Sequence, residues 1–331
     1  MTSTRRALLG SALLSTLAAA AGSAGQVSPA AAADAGCGPD RQARWEPKKT
    51  WVFAVGIIRY PQGQEWPAAG RRDEDLIQKL EDCGVPNTQI TFLQDSDATF
   101  DAVQSAFVRA VKAAPIDATL IFYFAGHGTR SKAGGGELSL YDRAWPAAEV
   151  FTMIERTFPG TAALLFSDCC FSGALGMEAM MRAGRIKYGI ITSSLASSLS
   201  TAAWTFTESL IAGFDGNIPS RADAEGDVTM ADLARFTEHE MALGDGQLST
   251  FVTTNGFDPR FALVPGTRRK TGRIGDYIEV KWKDGRWYRG AIEGVLGSRI
   301  WIRWLYYPRW PDEWVESAST REITLPEIAP G

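Results

Sequence analysis

The stretch ATLIFYFAGHGTR, residues 118–130, is an unbroken apolar run followed by a histidine between two glycines. A second run, AALLFSDCCFSG at residues 162–173, ends in the same manner with paired cysteines. Strands covered on both faces read as continuous apolar runs, whereas half-exposed strands alternate between apolar and polar residues. The two stretches therefore predict two buried strands, each ending in residues that can carry chemistry.

Similar apolar runs elsewhere extend this pattern into a sheet. They predict further strands at residues 51–57, 89–95, 188–194 and 248–254, with helical patterns between them at 73–84, 98–114 and 228–241. Alternating strands and amphipathic helices are typical of a mostly parallel sheet with helices on both faces. Thr229 and Asp232 predict a capping box at the start of the last helix. The expected fold class is α/β, with this core domain at residues 45–265.

The C-terminal segment has a different character. Residues 266–273, GTRRKTGR, predict a linker, and the segment beyond them alternates with period two and holds six of the eleven tryptophans. With a turn at Asp284-Gly285, it predicts a small all-β barrel at residues 272–326. The segment resembles the Tudor, chromo-barrel and SH3-like group, whose members can form aromatic cages for methylated lysine. Two interpretations stay open, core packing of the aromatics and an exposed patch of Trp304, Tyr306, Tyr307 and Trp310, and the barrel's partner is unknown.

The first 35 residues predict a removable export signal of the twin-arginine type. Arg5 and Arg6 precede an apolar stretch, and Ala33-Asp34-Ala35 provides a small-x-small cleavage site. A transmembrane anchor and lipid attachment at Cys37 are the alternatives. The signal predicts an exported protein, periplasmic or secreted, with no stable membrane insertion once it is removed. In such a compartment Cys37 and Cys83 are free to pair, and the sequence leaves that disulfide open.

The charge balance indicates no nucleic-acid partner. The formal net charge is −4, and from Thr267 onward twelve Lys and Arg stand against nine Asp and Glu. A nucleic-acid-binding domain carries a much stronger basic bias than this.

The histidine and the cysteine pair lie at matching places in successive strand units. Reactive groups gather at the carboxyl ends of parallel strands, and His127 and Cys170 each lie just past such an end. If the two strands are neighbours, the imidazole can help to form a thiolate nucleophile. The backbone N–H groups of Gly128 and Cys170 are candidates for an oxyanion hole. Taken singly, His127 would be read as a turn histidine and Cys170 as a buried thiol. The only other histidine, His239, lies in a predicted amphipathic helix.

The motifs FYFAGHG and LLFSDCCFSG resemble the histidine and cysteine blocks of the caspase-like peptidase clan, and most closely its bacterial metacaspase branch. The resemblance covers roughly residues 51–254. It implies a caspase-like fold and a cysteine endopeptidase with Cys170 as nucleophile and His127 as general acid and base. It also implies a substrate pocket that contains Asp168 and an upstream acidic residue, for which the sequence offers Asp73, Glu74 or Asp75.

The chain departs from that branch at two positions. Ala125 stands where the branch has a pocket serine, and Phe171 where it has a histidine after the nucleophile. Cys169, one strand position before Cys170, is expected on the opposite face or in the core.

The chemistry itself requires no cofactor, and no metal site is expected. Metacaspases are often activated by calcium, so calcium stays open as an activator. The acidic run Asp223, Glu225 and Asp227 does not match an EF-hand loop, because Val228 occupies the position of its glycine.

Asp168 indicates the substrate preference. A carboxylate two residues before the nucleophile pairs best with a cationic side chain, so cleavage of proteins or peptides after Arg or Lys is expected. Alternatively, Asp168 caps the next helix. The competing function is a non-catalytic caspase-like scaffold whose barrel binds a ligand. A thiol–disulfide redox protein fits poorly, because adjacent cysteines lack the two-residue spacing of a redox pair.

Overall fold

The structure is a computed structural model that describes residues 43–61, 70–132, 134–201, 203–218, 226–266, 277–305 and 310–321. The predicted export signal, Cys37 and nearly all of the predicted linker lie outside these residues. Within the described ranges, none of the helices is both long and apolar enough to cross a membrane.

The strands, in chain order, are β1 (Thr50–Gly56), β2 (Ile90–Gln94), β3 (Thr119–Ala125), β4 (Gly128–Arg130), β5 (Gly136–Ser139), β6 (Ala144–Pro146), β7 (Ala162–Asp168), β8 (Lys187–Thr192), β9 (Asp227–Thr229), β10 (Thr250–Thr254), β11 (Ala262–Pro265), β12 (Tyr277–Lys281), β13 (Trp287–Leu296), β14 (Arg299–Trp304), β15 (Glu313–Glu316) and β16 (Thr320–Arg321). The α-helices are α1 (Arg72–Asp82), α2 (Phe100–Val111), α3 (Ala147–Thr157), α4 (Ala174–Met180), α5 (Thr205–Phe214) and α6 (Met230–Gly244).

A six-stranded sheet forms the centre of the molecule, in the order β10-β8-β7-β3-β1-β2. Neighbouring strands are parallel except at the edge, where β10 runs antiparallel to β8. These six strands are the ones that the apolar runs predict. The expected α/β fold with a mostly parallel sheet is confirmed.

Helices cover both faces of this sheet. Side chains of β3 alternate between the faces, so Ile121 and Tyr123 pack toward α1, α5 and α6, while Phe122 and Phe124 pack toward α2, α3 and α4. We call these the α1 face and the α2 face. Burial on both faces explains why the strands are apolar throughout.

The capping box predicted for α6 is present. The Thr229 hydroxyl accepts a hydrogen bond from the backbone N–H of Asp232, and the Asp232 carboxylate accepts one from the backbone N–H of Thr229, both at 3.1 Å. These two bonds satisfy donors that the first turn of a helix would otherwise leave unpaired.

The C-terminal segment forms an antiparallel sheet in the order β15-β14-β13-β12-β16. The predicted turn at Asp284-Gly285 joins β12 to β13, and Gly285 there has φ +81°. Trp304 is buried and meets Trp282 and Trp310 edge to face, with 5.3 Å between ring centroids in both pairs. Rings in such direct contact are core packing. Tyr306 and Tyr307 lie outside the described residues.

A buried arginine joins this sheet to the core domain. Arg289 in β13 is 2% exposed, and its Nε lies 3.2 Å from Glu240 Oε1 on α6. Its Nη1 lies 3.2 Å from Glu279 Oε1, and its Nη2 donates to His239 Nδ1 at 2.8 Å. His239 therefore belongs to this contact.

Candidate active site

β3 and β7, the strands that precede His127 and Cys170, are adjacent and parallel in the sheet. Their final residues, Ala125 and Asp168, are paired in register, and His127 and Cys170 each follow two residues later. From the sequence, His127 and Cys170 are expected to lie together if their two strands are neighbours, and the strands are neighbours. Both residues lie at the carboxyl edge of the sheet.

Gly128 brings the two loops into direct contact. A Cβ atom at this position would lie 1.9 Å from the carbonyl oxygen of Cys170 and 3.0 Å from Cys169 Sγ. Since no side chain fits in that space, the chain after His127 can pass over the Cys170 peptide only with glycine at residue 128. Gly128 thus sets the separation of the two loops.

Tyr60 holds the histidine loop from the other side. The backbone N–H of His127 donates to Tyr60 Oη at 2.9 Å, and the two rings are 4.7 Å apart between centroids. The carbonyl of His127 accepts from the backbone N–H of Ser139 at 2.9 Å. Tyr60 was not predicted as a site residue, because it lies in a loop after β1 that is distant from His127 along the chain.

Residues 195–201 lie over Cys170, and we call them the cover segment. The backbone N–H of Ser200 donates to Cys170 Sγ at 3.2 Å, and the backbone N–H of Phe171 donates to the Ser198 carbonyl at 2.8 Å. Phe171 has φ +57°, a left-handed conformation that is uncommon for a bulky residue and turns the chain sharply after Cys170. The cover segment was not anticipated from the sequence.

The side chain of Cys169 lies beneath this edge, next to Gly128, and is shielded from solvent. It is buried on the α2 face, and its sulfur is 3.4 Å from the Ser167 hydroxyl. Burial raises the pKa of the Cys169 thiol far above its usual range. A thiol that stays protonated is a poor nucleophile, so of the two adjacent cysteines Cys170 is the one placed to react.

Asp168 is completely buried on the α1 face. Its Oδ2 accepts a hydrogen bond of 2.7 Å from the Thr207 hydroxyl in the first turn of α5, and that hydroxyl is 2.8 Å from the Tyr123 hydroxyl. Among the described residues, Asp168 Oδ1 has no hydrogen-bond partner. Burial raises the pKa of Asp168 to about 7, against the opposing effect of the Thr207 hydrogen bond. No side chain caps α4, the next helix, so the capping alternative is not what the structure shows.

The upstream acidic residues divide into one buried group and two exposed ones. Asp73 is buried and receives Arg71 in a two-pronged ion pair, with Nη2 2.6 Å from Oδ2 and Nε 3.1 Å from Oδ1. Arg71 Nη1 also lies 2.7 Å from Asp95 Oδ2. Glu74 and Asp75 are exposed, and Glu74 accepts from the side-chain amide of Gln94 at 2.7 Å. The internal cation Arg71 was not anticipated from the sequence.

No cluster of metal-ligating side chains occurs in the part of the chain that the structure describes. Asp227, from the acidic run, forms an ion pair with Arg44. Asp223 and Glu225 lie outside the described residues. Cys83 is a free thiol that donates to the carbonyl of Phe214 at 3.3 Å.

Several solved structures are similar to this chain. A protein from Geobacter sulfurreducens matches with a TM-score of 0.50 and 15% identity, over 64% of this chain and 96% of that one. Caspase-1 from Spodoptera frugiperda matches with a TM-score of 0.47 and 13% identity, over 69% and 93%. The Drosophila initiator caspase Dronc matches with a TM-score of 0.40 and 13% identity, over 68% and 86%. No curated protein matched the chain.

The family model for the caspase domain matches residues 55–240, which is more than half of the chain. These residues include the central sheet from the end of β1 to β8, the loops that carry His127 and Cys170, and the start of α1. The chain therefore belongs to the caspase domain family of cysteine peptidases.

Proposed function

We propose that the protein is a cysteine endopeptidase of the metacaspase type, in which Cys170 is the nucleophile and His127 the general acid and base. The main support for the proposal is that His127 and Cys170 lie at the same edge of the central sheet. Both residues follow paired strand ends, and Gly128 packs on the Cys170 peptide. An imidazole and a thiol in such positions are the groups that nucleophilic attack on an amide requires.

The reaction proceeds in two stages. His127 takes the proton of Cys170, and the sulfur attacks the carbonyl carbon of the scissile bond while the carbonyl π electrons move to oxygen. The tetrahedral intermediate collapses, the C–N bond breaks, and the amine leaves with the proton from His127. Water then attacks the thioester carbonyl carbon and gives a proton to His127. The C–S bond breaks, the sulfur takes that proton from His127, and the acid product leaves the free thiol behind.

The backbone N–H groups of Gly128 and Cys170 are our candidates for binding the oxyanion. Their support is proximity, since the two residues are in contact and Gly128 has no side chain to shield its amide. Loss of one such donor typically lowers kcat about 10²–10³-fold.

A basic residue before the scissile bond is the proposed preference. Gly56, Ala125 and Asp168 share one rung of the sheet. Asp73 occupies the space beside Gly56, where a Cβ would lie 2.0 Å from its Oδ2, so a second carboxylate lies at this end of the sheet. Arg71 neutralises only one of the Asp73 and Asp95 carboxylates that it binds, so this side of the sheet keeps a negative charge. Arg or Lys would be drawn to it, with exposed Glu74 as a further contact at the rim.

Three further parts of the proposal rest on the sequence. They are export through a twin-arginine signal, activation by calcium, and an SH3-like closure of the C-terminal sheet. The expected partners are protein or peptide substrates with basic residues.

A non-catalytic scaffold is the second candidate, and one observation favours it. Ser200 donates to the sulfur of Cys170, which is half-buried, and Asp168 is completely buried, so a substrate cannot reach the pocket carboxylate in this structure. A scaffold needs no open cleft, whereas a peptidase must move the cover segment before substrate can bind.

Turnover of matched peptides ending in Arg, Lys, Asp or Asn, with and without calcium, separates these candidates. We expect cleavage after Arg and Lys, loss of activity in Cys170→Ala, and substantial activity in Cys169→Ala. His127→Ala should lower turnover about 10²–10⁴-fold, the usual contribution of general acid–base catalysis. A folded wild-type protein that cleaves none of the peptides would favour the scaffold.

A further inference from the structure

Tyr60 is placed to control the orientation of His127. Its hydroxyl donates to the carbonyl of Ser139 at 2.9 Å and accepts from the backbone N–H of His127 at 2.9 Å. The Tyr60 hydroxyl therefore donates one hydrogen bond and accepts another, and both of its partners are backbone groups. Burial raises the pKa of Tyr60, so the hydroxyl stays protonated and can donate throughout the neutral range.

The Tyr60 ring also covers the imidazole. The ring centroids are 4.7 Å apart with 36° between the planes, a close and tilted contact. Gly126 makes room for this contact, because a Cβ there would lie 2.6 Å from Tyr60 Oη. With the phenol ring this close, the imidazole of His127 has little freedom to rotate.

The loop that carries Tyr60 is itself anchored. The backbone N–H of Ile57 donates to Ala125 at the end of β3, at 2.9 Å. Those of Ile58 and Arg59 donate to Asp95 Oδ1, at 2.9 and 3.1 Å. Because three successive amides are fixed, the phenol ring is held rigidly against the histidine.

We propose that Tyr60 is a positioning residue for catalysis, one that fixes the imidazole of His127 for proton transfer with Cys170. This role rests on the proposed peptidase function. The contact between the two rings orients the imidazole, and the Tyr60 hydroxyl contributes by binding the backbone N–H of His127. Loss of the ring lowers kcat and leaves KM unchanged, because Tyr60 acts on the imidazole and the substrate pocket lies around Asp168.

Three variants test this role. Tyr60→Leu should lower kcat by about 10–100-fold, the cost of a misplaced catalytic group, with KM unchanged. Tyr60→Phe, which keeps the ring, should restore most of kcat. Tyr141→Leu is the matched control, since Tyr141 also packs half-buried on the α2 face. If Tyr60→Leu does not fold, Tyr60→Met replaces it.

The imidazole resonances give a readout that is independent of turnover. The chain has two histidines, so His239→Ala assigns the ring protons of His127. We expect an upfield ring-current shift in wild type and Tyr60→Phe that Tyr60→Leu loses. Loss of the shift without loss of kcat, or a change in KM alone, would overturn the positioning role. No turnover by folded wild type, with the shift present, would instead overturn the peptidase function, and this role with it.

Discussion

Asp168 is completely buried, and its Oδ1 has no hydrogen-bond partner among the residues that the structure describes, so the two features together make its charge costly. Its pKa is raised from 3.8 to about 7 by burial. Below about pH 4 the carboxyl is protonated in both the folded and the unfolded chain. Between about pH 4 and pH 7 the unfolded chain loses the proton and the folded chain keeps it. Because the folded state then binds more protons, its stability falls as pH rises through this window.

Asp168→Asn should remove the loss of folding stability that wild type shows between about pH 4 and pH 7. We expect the free energy of unfolding of the variant, relative to wild type, to increase from pH 4 to pH 7, by up to about 4 kcal/mol. Urea unfolding at a series of pH values measures the difference. Asp117→Asn serves as control, because Asp117 is exposed and its pKa is lowered by Lys49. Parallel curves for Asp168→Asn and wild type would contradict the assignment of this titration to Asp168.

The pH dependence of substrate binding should also depend on the ionisation of Asp168. A cationic side chain binds the ionised carboxylate, so KM for peptides ending in Arg should fall as pH rises from 6 to 8. Peptides ending in Asn carry no charge at that position, and their KM should change less. Steady-state kinetics across this range provides the measurement, and equal pH dependence for both peptides would remove Asp168 from the pocket.

At this scale the sequence predicted some site residues and missed others. His127 and Cys170 directly follow apolar runs, so their positions just past strand ends place them at one edge of the sheet. Arg71 and Tyr60 owe their positions to contacts with Asp95 and His127, which lie far away in the chain. No local pattern marks such contacts.

The central strands were predictable because burial on both faces leaves them uniformly apolar. The short elements were not. Strands β4, β5 and β6 are three or four residues long and surround a glycine-rich turn, which reads as a loop. Helix α5 is buried along most of its length, so it lacks the amphipathic pattern that reveals a surface helix. These elements depend on the packing of the whole domain.

The cover segment should control access to Cys170. The side-chain amide of Gln247 links the end of this segment to the residues before it. Its Nε2 donates to the Ser193 carbonyl, and its Oε1 accepts from the backbone N–H of Thr201 at 3.0 Å. Gln247→Ala should loosen the segment and speed alkylation of Cys170 by iodoacetamide, since access sets the rate once the thiolate fraction is fixed. Mass spectrometry of the alkylated peptide gives the rate.

Gln89→Ala is the control for this prediction. Gln89 also binds backbone carbonyls through its side-chain amide, including that of Thr50 at 2.9 Å, but it lies far from the carboxyl edge of the sheet. Equal alkylation rates in Gln247→Ala, Gln89→Ala and wild type would show that the cover segment does not shield the thiol.

A buried ion pair between Arg289 and Glu240 joins the C-terminal sheet to the core domain. Arg289→Met removes a charge partner of Glu240, which is 2% exposed, and of Glu279. We expect a loss of stability on the order of 3 kcal/mol, because an arginine removed from a buried ion pair leaves carboxylates behind. Arg299→Met is the control, since Arg299 is exposed on the same sheet and contacts Trp314. Similar melting temperatures for the two variants would show that Arg289 contributes little.

A chain ending at Pro265 should still cleave small peptides. Every proposed catalytic and pocket residue precedes that point, and the core domain has its own hydrophobic core on both faces of the sheet. Its melting temperature should fall, because removal of the C-terminal sheet uncovers the surface of α5 and α6 around Glu240. A folded but inactive truncated chain would make the C-terminal sheet part of the active site.

Labelling with a peptidyl chloromethyl ketone that ends in arginine identifies the nucleophile, because the modified cysteine can be located by mass spectrometry. The proposed mechanism predicts a single label on Cys170, abolished in Cys170→Ala, strongly slowed in His127→Ala and much weaker with a matched reagent ending in aspartate. A label on Cys169, or none on the folded wild-type protein, would contradict it.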